Sequence, residues 1–130
     1  MTSLDPGTTQ PDHETGPGSQ SRTGSPTVAV VATTPETAVA DMARAMDLAG
    51  VGEFLSPEIK TFLKVNISWQ HWYPGCSTTP WQIEGVAKAL EARGHKDLVA
   101  AHNGTVVVNS YEGEFKNKHK AAQEKVGLPD

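Results

Sequence analysis

The chain has one cysteine, Cys76, so it can form no internal disulfide and no all-cysteine metal or iron–sulfur site within a single chain. It has no run of about 18 apolar residues, which excludes a helical membrane span. It has no excess of positive charge: 11 Lys and Arg face 15 Asp and Glu, for a net charge of −4. A nucleic-acid footprint over the whole domain is therefore not expected. The start lacks a basic stretch followed by an apolar one, and Asp5 sits where either would begin. One cysteine and no export signal make a cytoplasmic protein without membrane attachment the expectation. No Gly-x-x-x-x-Gly-Lys pattern exists, and no Gly-x-Gly-x-x-Gly follows the first apolar run, so no cofactor and no resident metal is expected.

Residues 1–26 are poor in apolar side chains, having only Met1 and Leu4, while 17 of the 26 are Gly, Pro, Ser or Thr. Such a stretch cannot bury enough apolar surface to offset the entropy of ordering it. It is read as a disordered low-complexity tail, and residues 27–130 as one α/β domain.

The domain opens on Thr27-Val-Ala-Val-Val-Ala-Thr33, a continuous β-branched run that predicts a strand buried on both faces. Thr34 and Pro35 then suit the N-cap and first position of a helix. Val39, Met42, Ala43 and Met46 share one face of it, and Gly50 and Gly52 end it. Thr61 to Ile67 predicts a second strand, with Lys64 and Asn66 unusual inside an apolar run. Ser68 to Thr78 reads as a loop carrying Trp69, His71, Trp72, Tyr73 and Cys76. Thr79-Pro80-Trp81-Gln82 has the form of a capping box. Ile83, Val86, Ala87 and Leu90 give the next helix an apolar stripe, and Gly94 closes it. Leu98 to Ala101 predicts a third short strand. Thr105 to Val108 reads as a strand or a loop packed on the sheet, and Phe115 to Val126 as a lysine-rich helix. The order predicts α/β architecture: a small parallel sheet of βαβαβ units with covering helices, part of a larger fold. Three strands leave exposed edges, where self-association or a partner chain is expected.

The order of these motifs resembles the N-terminal part of the domain of unknown function 362 family. Members typically have a strand with Ile-Lys-Pro-Asn or a variant, a loop, a Thr-Thr-x-Pro or Thr-Asp-Pro helix start, and a helix ending Ala-Gly-Ala. A strand closing on a small acidic or glycine-rich turn follows. The counterparts here are Phe62-Leu-Lys-Val-Asn66, Cys76-Ser-Thr-Thr-Pro80, Ala92-Arg-Gly-His95 and Val99-Ala-Ala-His-Asn-Gly104. The resemblance covers about residues 27–130. It departs where Val65 replaces the usual proline and His102-Asn103 the usual acidic residue. The family domain runs longer, which implies that this chain is a truncated or split N-terminal portion. Many members carry, or are fused to, ferredoxin-like segments, and a chain with Cys76 alone cannot hold their cluster. The family has no single assigned activity.

Ligands of open parallel sheets bind beyond the carboxyl ends of the strands. That rule selects Lys64 and Asn66 from the second strand, Ser77, Thr78 and Thr79 at the following helix start, and Asn103 after the third strand. Hydroxyls, free N–H groups and a helix dipole favour an anion or a small polar molecule there. The plainer alternative is that Thr79 only caps its helix. Cys76, just before a helix N-terminus, is a weak nucleophile candidate, with His71 and His102 as bases; the plainer alternative is a small, partly buried residue. A zinc site from His71, Cys76 and His102 matches no close-spaced motif. Three functions follow. The first is binding of a small molecule or anion at the strand ends. The second is a truncated enzyme or redox-associated protein that needs a missing C-terminal part, and the third a non-catalytic interaction protein using the aromatic loop.

Overall fold

Thr34 begins a turn ahead of the first helix and is not the N-cap that sequence suggested: its carbonyl accepts from Thr37 N–H (3.1 Å) and Ala38 N–H (2.9 Å). Its own N–H donates to the Thr37 hydroxyl (3.1 Å). In the computed structural model, which describes residues 27–73 and 75–129, regular helix α1 spans Ala38–Leu48 with Thr37 as N-cap. It ends where Gly50 takes φ 72°, a conformation that costs glycine little. A short 3₁₀ turn at Val51–Glu53 follows. Strand β1 is Thr61–Lys64, helix α2 Pro80–Ala92 and strand β2 Leu98–Ala101. Helices α3 (Ser110–Lys116) and α4 (His119–Lys125) close the order.

The two ends of α2 follow directly from the sequence. At the start, the Gln82 side-chain oxygen accepts from both the Thr79 N–H (2.9 Å) and the Thr79 hydroxyl (3.0 Å). Pro80 occupies the first position, where no N–H is needed. At the end, Gly94 has φ 90°. His95 N–H there donates to Leu90 O (3.1 Å) and Gly94 N–H to Glu91 O (2.9 Å), the paired bonds of a glycine-terminated helix. Helix α4 stops the same way, through Leu128 to Gln123 O (3.0 Å) and Gly127 to Glu124 O (3.2 Å).

Strands β1 and β2 pair in parallel, from Thr61 opposite Leu98 to Lys64 opposite Ala101. Helix α2 is the crossover that parallel pairing requires. Helices α1 and α2 lie side by side and run in the same direction, with Gly85 against Val39 and Met42. Further along both helices, the Arg93 guanidinium bonds Ala89 O, Ala43 O and the Asp47 carboxylate. Val65, Ile83, Ala87, Leu90, Leu98, Ala100, Ala122, Val126 and Leu128 form the core. The class is thus α/β, with a small parallel sheet covered by helices.

Two further sequence expectations differ from this arrangement. Thr27 to Thr33 has no regular structure and joins no ladder, so one βαβ unit stands among the described residues in place of βαβαβ. Val28 and Val30 are 84% and 86% exposed, so the segment is not buried on both faces. Its β-branched residues set a local backbone preference, whereas pairing depends on a partner edge that local sequence does not specify. Of the two readings of Thr105 to Val108, strand or loop, the loop is found, with only Val108 buried. Phe115 to Val126 is not one helix: the chain breaks at Lys118, whose φ is 63°. The break turns His119, Ala122, Gln123 and Val126 inward and leaves Lys116, Lys118 and Lys125 exposed. The tail expected over residues 1–26 lies outside the described residues.

A candidate ligand cleft at the carboxyl end of β1

Beyond Lys64 the chain continues through Val65, which is buried, to Asn66, whose backbone is tied to the approach to α2. Asn66 N–H donates to the Thr78 hydroxyl (2.9 Å), and Thr78 N–H donates to Asn66 O (3.0 Å). The Asn66 carboxamide donates to the Ser68 hydroxyl (2.6 Å) and to Cys76 O (3.4 Å). Ser68 N–H donates to the Ser77 hydroxyl (3.2 Å). The aromatic loop is therefore closed at its base by Asn66, Ser68, Ser77 and Thr78. These are mostly the polar residues that sequence selects for a ligand, and here they first satisfy the loop's own backbone. Thr79 is engaged with Gln82. A hydroxyl that accepts still has a proton to donate, so Thr78 keeps a free O–H.

A cleft of about 350 Å³ lies beside this closure. Met42 of α1, Leu63 and Val65, and Ile83 and Val86 of α2 form its apolar floor. Lys64, Thr78 and Gln82 supply its polar groups. The Lys64 ammonium donates to Val65 O (3.1 Å) and meets no carboxylate among the described residues. The cleft thus joins an uncompensated cation to apolar surface, the lining of a site for a small amphipathic molecule.

The other predicted residues lie elsewhere. Asn103 is exposed past β2 and makes no bond into the cleft. Cys76 is an exposed free thiol, and neither imidazole bonds to it. His71 is exposed and packs on Trp69, with ring centroids 5.7 Å apart. His102 turns toward α3, where its Nε2 lies 3.7 Å from a Glu114 carboxylate oxygen and its ring meets the edge of Tyr111. Among the described residues no three His, Cys, Asp or Glu side chains are placed to hold a metal ion. No helix there is long and apolar enough to cross a membrane. Trp69, Trp72, Tyr73 and Trp81 are all substantially exposed, with the Lys118 ammonium 5.1 Å from the Trp72 ring centroid.

Behind the loop lies a buried polar cluster that sequence reading missed. Glu114, Asn117, His119 and Gln123 are all at least 95% buried. Asn117 donates to Trp69 O (2.9 Å), and His119 Nε2 lies 2.5 Å from Thr78 O. Buried Nδ1 atoms of His102 and His119, Oε1 of Glu114 and both amide atoms of Gln123 have no partner. Burial holds the His119 imidazole below its ordinary pKa, against the Thr78 carbonyl and Glu114, which favour the cation. The only signal in the sequence was the four-residue spacing of His119 and Gln123, which sits inside a lysine pattern that reads as solvated. No family model, curated protein or solved structure matches the chain.

Proposed function

We propose that this domain binds a small anionic molecule with an apolar portion, seated in the cleft at the carboxyl end of β1. One observation carries the reading: Lys64, without a carboxylate partner, stands at the rim of an apolar floor formed by Met42, Leu63, Ile83 and Val86. The exposed Lys64 ammonium can pair with an anion, and the floor accepts the ligand's hydrocarbon. The Thr78 O–H adds a directional donor. The resemblance to the domain of unknown function 362 family is compatible with such a module and assigns it no reaction. An enzymatic reading built on Cys76 has less support, because no hydrogen bond joins the thiol to either imidazole. A cytoplasmic, reducing setting suits that free thiol.

Thermal denaturation with three probes tests the proposal: hexyl phosphate, inorganic phosphate and hexanol. Hexyl phosphate is expected to raise Tm while the other two leave it unchanged. Lys64→Met keeps the stem, removes the charge, and is expected to weaken hexyl phosphate binding about tenfold or more. Equal stabilisation by hexanol, or unaltered binding to Lys64→Met, refutes the reading.

The exposed aromatic loop favours a second reading, a non-catalytic interaction surface. Trp72 and Tyr73 are 48% and 62% exposed.

A further inference from the structure

We propose that His119 is a pH-operated clasp: its neutral ring pins the base of the aromatic loop to α4, and protonation of that ring releases the loop. The inference does not depend on the cleft's ligand. His119 is fully buried, and its Nε2 lies 2.5 Å from Thr78 O. A carbonyl only accepts, so Nε2 carries the proton and the neutral ring leaves Nδ1 bare. That Nδ1 is buried without a partner. A second proton would give the ring a charge away from water and an Nδ1–H that meets no acceptor within hydrogen-bond distance among the described residues. Once the ring swings into water both costs vanish, so acid favours the released state.

The surroundings set the balance. Glu114 faces the ring from α3 and favours the cation, whereas His102, beyond β2, disfavours it. From α2, Glu84 is committed to Lys88 and Lys125. On its own helix His119 is flanked by Lys118 and Lys120, which add no anion. Burial is the largest influence on its pKa and acts downward. Release has a structural path: Thr78 is doubly bonded to Asn66, and Asn66 reaches Ser68 and Cys76. It also has a reporter. Lys118, which immediately precedes His119, lies over Trp72.

The test follows amide hydrogen exchange and tryptophan emission from about pH 7.5 down to about pH 5. Exchange at Thr78 and Asn66, corrected for its intrinsic pH dependence, is expected to quicken about tenfold per pH unit below about 6.5. It should level off at the closed-state pKa, and Trp emission should shift over the same range. The Val86 and Leu90 amides in α2 should stay slow. His119→Gln keeps a side-chain N–H donor and cannot titrate, so its loop exchange should be flat with pH. A flat wild type, an unchanged transition in His119→Gln, or equal quickening at Leu90 overturns the proposal. If His119→Gln does not fold, the wild-type His119 ring is titrated by NMR. Ring protonation in step with loop exchange supports the clasp, and protonation without any change in exchange overturns it.

Discussion

Replacing Gly85 with alanine should destabilise the domain, although the same change at most helix-interior glycines stabilises. Alanine is worth about 1 kcal/mol over glycine in a helix interior. Here an added Cβ would lie 2.6 Å from Met42 Cγ, 2.9 Å from Met42 Cβ and 2.8 Å from Val39 O. The methionine chain can swing aside, but the carbonyl belongs to the backbone of α1. Relief therefore requires α1 to move off α2, against the Arg93 bonds to Ala43 O and Asp47. Overpacking of this kind costs about 1–3 kcal/mol, which outweighs the propensity gain through most of its range. The net loss is then up to about 2 kcal/mol, at roughly 4–8 °C in Tm per kcal/mol for a domain near 100 residues. Urea and thermal denaturation followed by circular dichroism would read it. Gly52→Ala is the control, since nothing lies within 4 Å of its added Cβ. Combining Gly85→Ala with Met42→Ala should recover only the side-chain part of the clash. If Gly85→Ala is as stable as wild type or more so, the close α1–α2 seam described above is wrong.

Leu90 is 1% exposed within the core, so Leu90→Ala should cost about 2–5 kcal/mol, read as a lower urea midpoint at unchanged slope. Gly113→Ala should also destabilise, because its Cβ would lie 2.5 Å from Ile67 Cγ2 and 3.3 Å from Gln70 Cα; Ile67→Ala in the same chain should restore part of the loss. The hydrogen bonds from Lys125 and then Lys88 hold the Glu84 carboxyl below its ordinary value. The stability they contribute is present above about pH 4.5 and is lost as pH falls through the folded-state pKa. The lysines are more than half exposed, so Glu84→Gln should cost about 1 kcal/mol or less at neutral pH and nothing in acid, measured by urea denaturation across pH.

What could be read from sequence was what neighbours in the chain decide. The capping of α2 by Thr79, Pro80 and Gln82, its apolar stripe and its closure at Gly94 involve residues within one or two turns of each other. The class followed from those elements. The Thr27 to Thr33 segment was misread because extended preference is local while strand pairing is not. The break at Lys118 was invisible because lysine has no preference for a left-handed backbone, and the contact of His119 with Thr78 spans three intervening elements. Part of the site was legible: the strand-end rule found Lys64 and Thr78, which share the cleft. It also chose Asn66 and Ser77, and nothing in their spacing distinguishes a residue that closes a loop from one that faces a ligand. Asn103 and His102 leave the sheet at the same end but depart from the cleft, a divergence set by α3.

Arg93 has a consequence for how the two covering helices coexist. Helices α1 and α2 run in the same direction, so their dipoles align side by side and their electronegative carboxyl ends repel. The Arg93 guanidinium bonds Ala89 O near the end of α2, Ala43 O in the middle of α1 and the Asp47 carboxylate near the end of α1. One cation thus answers both the Asp47 carboxylate at the end of α1 and a carbonyl near the end of α2. Its planar fork can meet several acceptors at once, which a lysine ammonium on a single stem does less well. The α1–α2 seam is consequently held by shape at Gly85 and by charge at its carboxyl end, so added salt should loosen one end and leave the middle as it was.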